Sequence, residues 1–175
     1  MTGYDYASAG AYFVTVCAHN REPLFNHPVL RGIVEQTWHD QHDRFPSISL
    51  DAFVVMPNHV HFIVWLNPVG APLAGAHGTG RAGASPAPTL AKVVGSFKSI
   101  VATRWLEWLK ENSPDCSGRV WQRNYYEHVI RDEDELGRVR QYILDNPLLW
   151  ELDRENPHRA ANRGYDGEWA WLEGT

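Results

Sequence analysis

Ile48-Ser49-Leu50-Asp51-Ala52-Phe53-Val54-Val55-Met56-Pro57-Asn58-His59-Val60-His61-Phe62-Ile63-Val64-Trp65-Leu66 is the stretch that decides the fold. Both of its halves are rich in β-branched and aromatic residues, which suit a pleated, half-buried backbone. Between them, Pro57-Asn58 supplies turn chemistry, since proline fixes φ and asparagine tolerates a tight bend. The stretch therefore predicts two strands, Ile48 to Met56 and His59 to Leu66, close enough in sequence to pair as an antiparallel hairpin.

Working outward, Ala11 to Val16 (Ala-Tyr-Phe-Val-Thr-Val) reads as an earlier strand. Pro28 suits the first turn of a helix. Leu30, Ile33, Val34 and Trp38 then recur at helical spacing to about Asp43, and Phe45-Pro46 breaks the pattern. Beyond the hairpin, a helix from about Thr89 carries Leu90, Val93, Val94, Phe97, Val101 and Trp105 on one face. A fourth strand is expected around Glu127 to Arg131. Asp132, with Glu135 three residues on, is a carboxylate variant of the capping box for a last helix. That helix has the apolar stripe Leu136, Val139 and Ile143, and it ends before Pro147, because the residue preceding a proline is pushed out of helical geometry. The order is strand, helix, strand, strand, helix, strand, helix. It predicts an α+β fold, a ferredoxin-like antiparallel sheet in βαββαβα order with helices on one face.

The domain is expected to occupy residues 1–150. Within it, 67–88 is rich in glycine, proline and alanine and reads as a flexible loop or lid. Residues 151–175 form an acidic, tryptophan-containing tail.

A chain of 175 residues, 43% hydrophobic and 21% charged, fits one ordinary globular domain. No apolar run approaches the roughly 20 residues that cross a bilayer, and no signal peptide is apparent at the start, so a cytoplasmic protein with no membrane partner is expected. Cys17 and Cys116 are far apart and form no metal motif, which agrees with a reducing compartment. The net charge of −5 does not by itself suggest a nucleic-acid partner. Its distribution is uneven, however: acids concentrate beyond Asp145, whereas Leu90 to Arg131 holds Lys92, Lys98, Arg104, Lys110, Arg119, Arg123 and Arg131. That basic middle is available to phosphates.

His59 and His61 flank Val60 on the third strand, so both point to one face while Val60 points to the other. Imidazoles roughly 7 Å apart along a strand can converge on one divalent ion. Surface or hydrogen-bonded histidines produce the same pattern. Tyr142 and Asn146 are four apart and share a helix face; alone, they read equally as a packed tyrosine and a helix-end cap. Trp121-Gln122-Arg123-Asn124-Tyr125-Tyr126-Glu127-His128 mixes aromatics with bases, which suits base stacking and also an ordinary core with a wet rim.

In combination these segments resemble the HUH single-tyrosine transposases, specifically the REP-associated tyrosine transposase branch, from about Ala11 to Leu149. The resemblance rests on Tyr12-Phe13-Val14-Thr15-Val16, on Val54-Val55-Met56-Pro57-Asn58-His59-Val60-His61 and on Phe97-Lys98-Ser99. It continues through Trp121-Gln122, Tyr126-Glu127-His128-Val129-Ile130-Arg131, and Tyr142-Ile143 with Asn146-Pro147. It implies that His59 and His61 are metal ligands, Asn146 the third protein ligand and Tyr142 the nucleophile. Apart from the resemblance, Tyr126 and His128 are secondary candidates. The implied cofactor is Mg²⁺ or Mn²⁺, and the implied reaction is cleavage and rejoining of DNA through a 5′-phosphotyrosine. The implied partner is single-stranded or hairpin DNA, bound by a monomer or homodimer. By charge and position, Lys98, Arg104, Arg119 and Arg123 are the expected phosphate contacts. Two other classes stay open from the residues: a hydrolase with a three-histidine zinc site (His59, His61, His128), and a non-catalytic nucleic-acid module on the sheet.

Overall fold

The computed structural model describes residues 9–67, 88–152 and 156. The expected loop and tail therefore lie almost wholly outside the described residues. Strand β1 is Gly10–Cys17, helix α1 Pro28–His39 and the one-turn α2 Gln41–Arg44. Strands β2 and β3 are Ile48–Val55 and His59–Leu66, followed by the long helix α3, Leu90–Asn112, then β4, Tyr126–Ile130, and α4, Glu133–Asp145. The helix expected to run unbroken to Asp43 stops at His39, and α2 continues the chain after Asp40.

The strands form one antiparallel sheet in the order β2-β3-β1-β4. The hairpin forms as anticipated, with Val55 paired to Val60 and Met56 N–H donating to the His59 carbonyl across Pro57-Asn58 (2.8 Å). A bulge between Leu50 and Phe53 interrupts the β2–β3 register.

Alternation along the strands divides the interior into two layers. On one face Tyr12, Val14 and Val16 of β1 and Val60, Phe62 and Val64 of β3 pack against α1 and α3, around Leu30, Val34, Trp38, Val93, Phe97 and Val101. Trp38 stacks on Phe53 at 5.1 Å between ring centres and leans on Phe62 at 4.7 Å. Each such buried side chain contributes about 1.5–3 kcal/mol.

The other face carries a smaller cluster. Ala11, Phe13, Ile63 and Ile130 are covered there by Leu136, Val139 and Ile143 of α4. This corrects the expectation that all helices share one face. The odd-numbered residues of β1 and β3 include enough apolar side chains to need a cover of their own, and the apolar stripe of α4 supplies it. The correction matters because His59 and His61 lie in that odd-numbered set.

Asp132 caps α4 by accepting from Glu135 N–H at 2.8 Å, as the sequence suggested. The Glu135 carboxylate does not return to its own cap. It accepts from Arg131 N–H (2.6 Å) and meets His128 Nε2 (2.8 Å), tying the start of α4 to β4.

Candidate active site

β3 begins with His59 because the Pro57-Asn58 turn ends there, and the pleat sends His59 and His61 to the α4 side of the sheet. Both rings are buried. Their Nε2 atoms face each other at 2.9 Å. Each Nδ1 is held from behind: His61 by Thr15 Oγ1 of the neighbouring strand (2.8 Å), His59 by Asn58 Oδ1 (2.8 Å).

The Asn58 amide settles one tautomer. Its Nδ2 donates to the Arg21 carbonyl (3.2 Å), so Oδ1 is the atom presented to His59. His59 Nδ1 must then be the donor, which leaves the Nε2 lone pair directed at His61. Burial pushes the His61 ring down to about 3. Burial, and then electrostatic coupling to His61 and to Arg21, hold His59 well below the usual histidine range. Both rings are therefore neutral near pH 7, the form that ligates metals.

Tyr142 comes from the last turn of α4, beside the apolar stripe. Its hydroxyl lies 3.4 Å from His61 Nε2, its ring 5.3 Å from the His61 ring and edge-on to Phe13 at 5.9 Å. One turn further, Asn146 follows α4 as its C-terminal cap and is buried; its Oδ1 has no hydrogen-bond partner among the described residues. A buried carbonyl oxygen without a donor is costly. A cation would satisfy it.

These residues fit a divalent ion. Two ligands about 2.1 Å from one ion and at right angles stand about 3 Å apart, close to the separation of the two Nε2 atoms. The unpartnered Asn146 oxygen, one helical turn beyond Tyr142, is a hard donor of the kind Mg²⁺ and Mn²⁺ prefer.

The other singled-out residues have varied surroundings. The Lys98 ammonium donates to the carbonyls of Gln122 (2.7 Å), Arg123 (3.0 Å) and Asn124 (3.4 Å), and partial burial lowers its pKa. Arg104 bonds Thr37 Oγ1 (3.1 Å) and Asp40 (2.9 Å), joining α3 to the end of α1. Both belong to α3, on the sheet face opposite the histidines, and both ends are taken by protein acceptors. Arg119 and Arg123 are exposed in the segment before β4. Tyr126 stands in register with Thr15 and packs in the smaller cluster. His128 is on the same face, but its Nε2 meets Glu135, and no group of three metal-binding histidines, cysteines or carboxylates forms among the described residues. The three-histidine zinc arrangement is not what the fold assembles.

Sequence reading passed over Thr15, Asn58 and Arg21. Asn58 adjoins His59, and the only role read for it was that of a turn former. Thr15 is 46 positions from His61 and meets it only through strand pairing.

An antiparallel α+β domain whose sheet face joins two histidines to a helix-borne tyrosine is the class that these observations define. No family model matches the sequence. An uncharacterized protein of Haemophilus influenzae is 37% identical over 164 residues, spanning 86% of this chain and 87% of that protein. A REP-associated tyrosine transposase of Escherichia coli is 24% identical, spanning 94% of this chain and 87% of that one. Among solved structures, a REP-associated tyrosine transposase bound to a REP hairpin superposes with a TM-score of 0.56 at 20% identity, covering 85% of this chain and 73% of that chain. Over nearly its whole length the chain is homologous to proteins named REP-associated tyrosine transposases. No helix among the described residues is long and apolar enough to cross a membrane.

Proposed function

We propose that this protein is a transposase that cuts and rejoins single-stranded DNA through Tyr142, at hairpin-bearing repeats, with Mg²⁺ or Mn²⁺ held by His59, His61 and Asn146. The observation that carries the reading is the 3.4 Å approach of the Tyr142 hydroxyl to a histidine whose Nε2 faces a second Nε2 at 2.9 Å. A tyrosine serving only the core has no need of that position. The family relationship and the hairpin bound by the solved relative support DNA as the substrate. The sheet order β2-β3-β1-β4 also supports a ferredoxin-like reading of the architecture.

When bound, a divalent cation withdraws charge from the oxygens of the scissile phosphate. The chain's own groups do the rest. Thr15 and Asn58 keep both imidazoles turned so that their Nε2 atoms face one point. Phe13 and His61 fix the Tyr142 ring, so little motion remains to be lost before attack. The phenol, whose ordinary pKa is near 10, gives up its proton as its oxygen bonds to phosphorus. The P–O3′ bond breaks, and the departing oxygen takes up a proton. The products are a 5′-phosphotyrosine and a free 3′-hydroxyl. Attack by a second 3′-hydroxyl reverses these bond changes and joins new ends. Because the tyrosyl ester keeps the phosphodiester energy, no nucleotide cofactor is required.

The deciding experiment is incubation with hairpin-bearing single-stranded DNA and Mn²⁺, followed by denaturing gels and peptide mapping. A covalent adduct at Tyr142 is expected, absent from Tyr142→Phe although that variant still binds DNA. Normal cleavage by Tyr142→Phe would overturn the assignment and turn attention to Tyr126. Cleavage without any adduct would point to hydrolysis instead.

A further inference from the structure

The turn after β1 carries two consecutive residues in the left-handed backbone region, Asn20 (φ 52°) and Arg21 (φ 54°), the only non-glycine residues with positive φ among those described. Asparagine visits this region readily. For arginine the Cβ crowds the following carbonyl, and glycine would relieve the strain. The chain nevertheless puts a long cation there and holds it. Arg21 N–H donates to the Ala18 carbonyl (3.1 Å), Glu22 N–H to the His19 carbonyl (3.1 Å), and buried Asn58 Nδ2 to the Arg21 carbonyl (3.2 Å). The same Asn58 amide orients the His59 ring at 2.8 Å. One side chain thus joins the strained turn to the histidine pair. The Arg21 side chain is exposed. Strained backbone of this kind persists where the surroundings over-determine it, and it collects at functional sites.

We propose that Arg21 is a phosphate-binding residue of this site, its guanidinium gripping a DNA backbone phosphate next to the histidine pair. The assignment rests on the reading that single-stranded DNA is the substrate. A guanidinium suits the task because it is always charged and offers paired N–H donors that match two phosphate oxygens. The left-handed turn explains how a residue in the β1 turn comes to stand at the start of β3. It also explains why arginine occupies a position that the backbone alone would give to glycine: the side chain is what the position is for.

The test uses the full chain with Tyr142→Phe, so that binding is read without cleavage. Affinity for hairpin-bearing single-stranded DNA is measured by fluorescence anisotropy over a salt series, with Arg21→Ala, Arg21→Gly and Arg21→Lys added in turn. The oligonucleotides carry single, uncharged methylphosphonate linkages at successive positions. Arg21→Ala and Arg21→Gly are expected to weaken binding about tenfold at low salt. They should also make the slope of log K against log salt shallower by about 0.7, the share of one phosphate on a single strand. Arg21→Lys should keep most of both. One methylphosphonate should weaken the arginine protein and have no further effect on Arg21→Ala.

Arg21→Gly relaxes the turn, so it separates charge from backbone geometry. If Arg21→Gly binds with the parent's affinity and salt slope, the proposal is overturned. The same follows if every methylphosphonate weakens Arg21→Ala as much as it weakens the arginine protein. Failure of the arginine-containing parent to bind single-stranded DNA at all would instead overturn the proposed function, and this assignment with it.

Discussion

Asp51 receives Arg140 in a bidentate grip, Nε to Oδ1 at 2.9 Å and Nη2 to Oδ2 at 2.6 Å, and so joins the edge strand β2 to the tyrosine-bearing helix. The bulge between Leu50 and Phe53 falls at Asp51, and bulges characteristically re-aim a side chain. Trp65 Nε1 (2.9 Å) and Ala52 N–H (2.8 Å) donate to the same carboxylate. Arg140 is two residues before Tyr142, so this grip sets where the phenol sits over His61.

Asp51→Asn or Arg140→Ala is therefore expected to slow adduct formation at least about tenfold in single-turnover assays, because small misplacements of a nucleophile are expensive. Stability should fall by only about 1 kcal/mol in denaturant titrations, since the Arg140 side chain is 44% exposed and water screens the pair. A variant that adducts at the wild-type rate would show that α4 is positioned by its apolar stripe alone.

The same pair gives a pH dependence with a defined sign. The Arg140 hydrogen bond, with help from Trp65 and Ala52, holds the Asp51 carboxyl below the usual carboxylate range against the effect of burial. A group whose folded pKa is depressed stabilises fully above its unfolded pKa, about 3.9, and loses that stabilisation as pH falls through the lowered folded value. Acid titrations followed by circular dichroism should show Asp51→Asn less stable at pH 7, with the difference from wild type shrinking below about pH 4.

Thr15→Val and Asn58→Ala leave both histidines in place and remove their Nδ1 partners. Each should raise the Mn²⁺ concentration needed for half-maximal adduct formation about 10- to 100-fold, the usual effect of losing a residue that orients a ligand. Titration of activity against metal distinguishes this from a general loss of folding, which more metal would not rescue.

Asn146→Ala offers a separate test of the metal. In wild type, Mn²⁺ at about 100 times its dissociation constant should add about 2.7 kcal/mol of stability. Calorimetric scans should show that gain abolished in His61→Ala and reduced in Asn146→Ala. An Asn146→Ala protein with the full metal-induced gain would remove Asn146 from the ligand set.

Lys98→Ala tests a residue whose sequence and structural readings differ. Because its ammonium serves the Gln122, Arg123 and Asn124 carbonyls, its loss should cost about 1 kcal/mol and leave the salt dependence of DNA binding unchanged. A shallower salt slope would restore Lys98 as a phosphate contact.

The sequence by itself determined the elements and their order. Alternation from Ile48 to Leu66 and helical spacing along Leu90–Trp105 are local properties, and local periodicity is what secondary structure obeys. It also determined that His59 and His61 share a face, because the pleat has a period of two. What only the tertiary structure decided is which elements cover which face, since that depends on contacts between residues far apart in the chain. The placement of α4 opposite α1 and α3 brings Tyr142 to His61 across 81 positions. Strand pairing brings Thr15 to His61, and a left-handed turn brings Arg21 to Asn58. Charge pattern pointed to Lys98 and Arg104, yet carbonyl, hydroxyl and carboxylate acceptors give both a structural partner. Side-chain charge is written in one dimension; the field it meets is assembled in three.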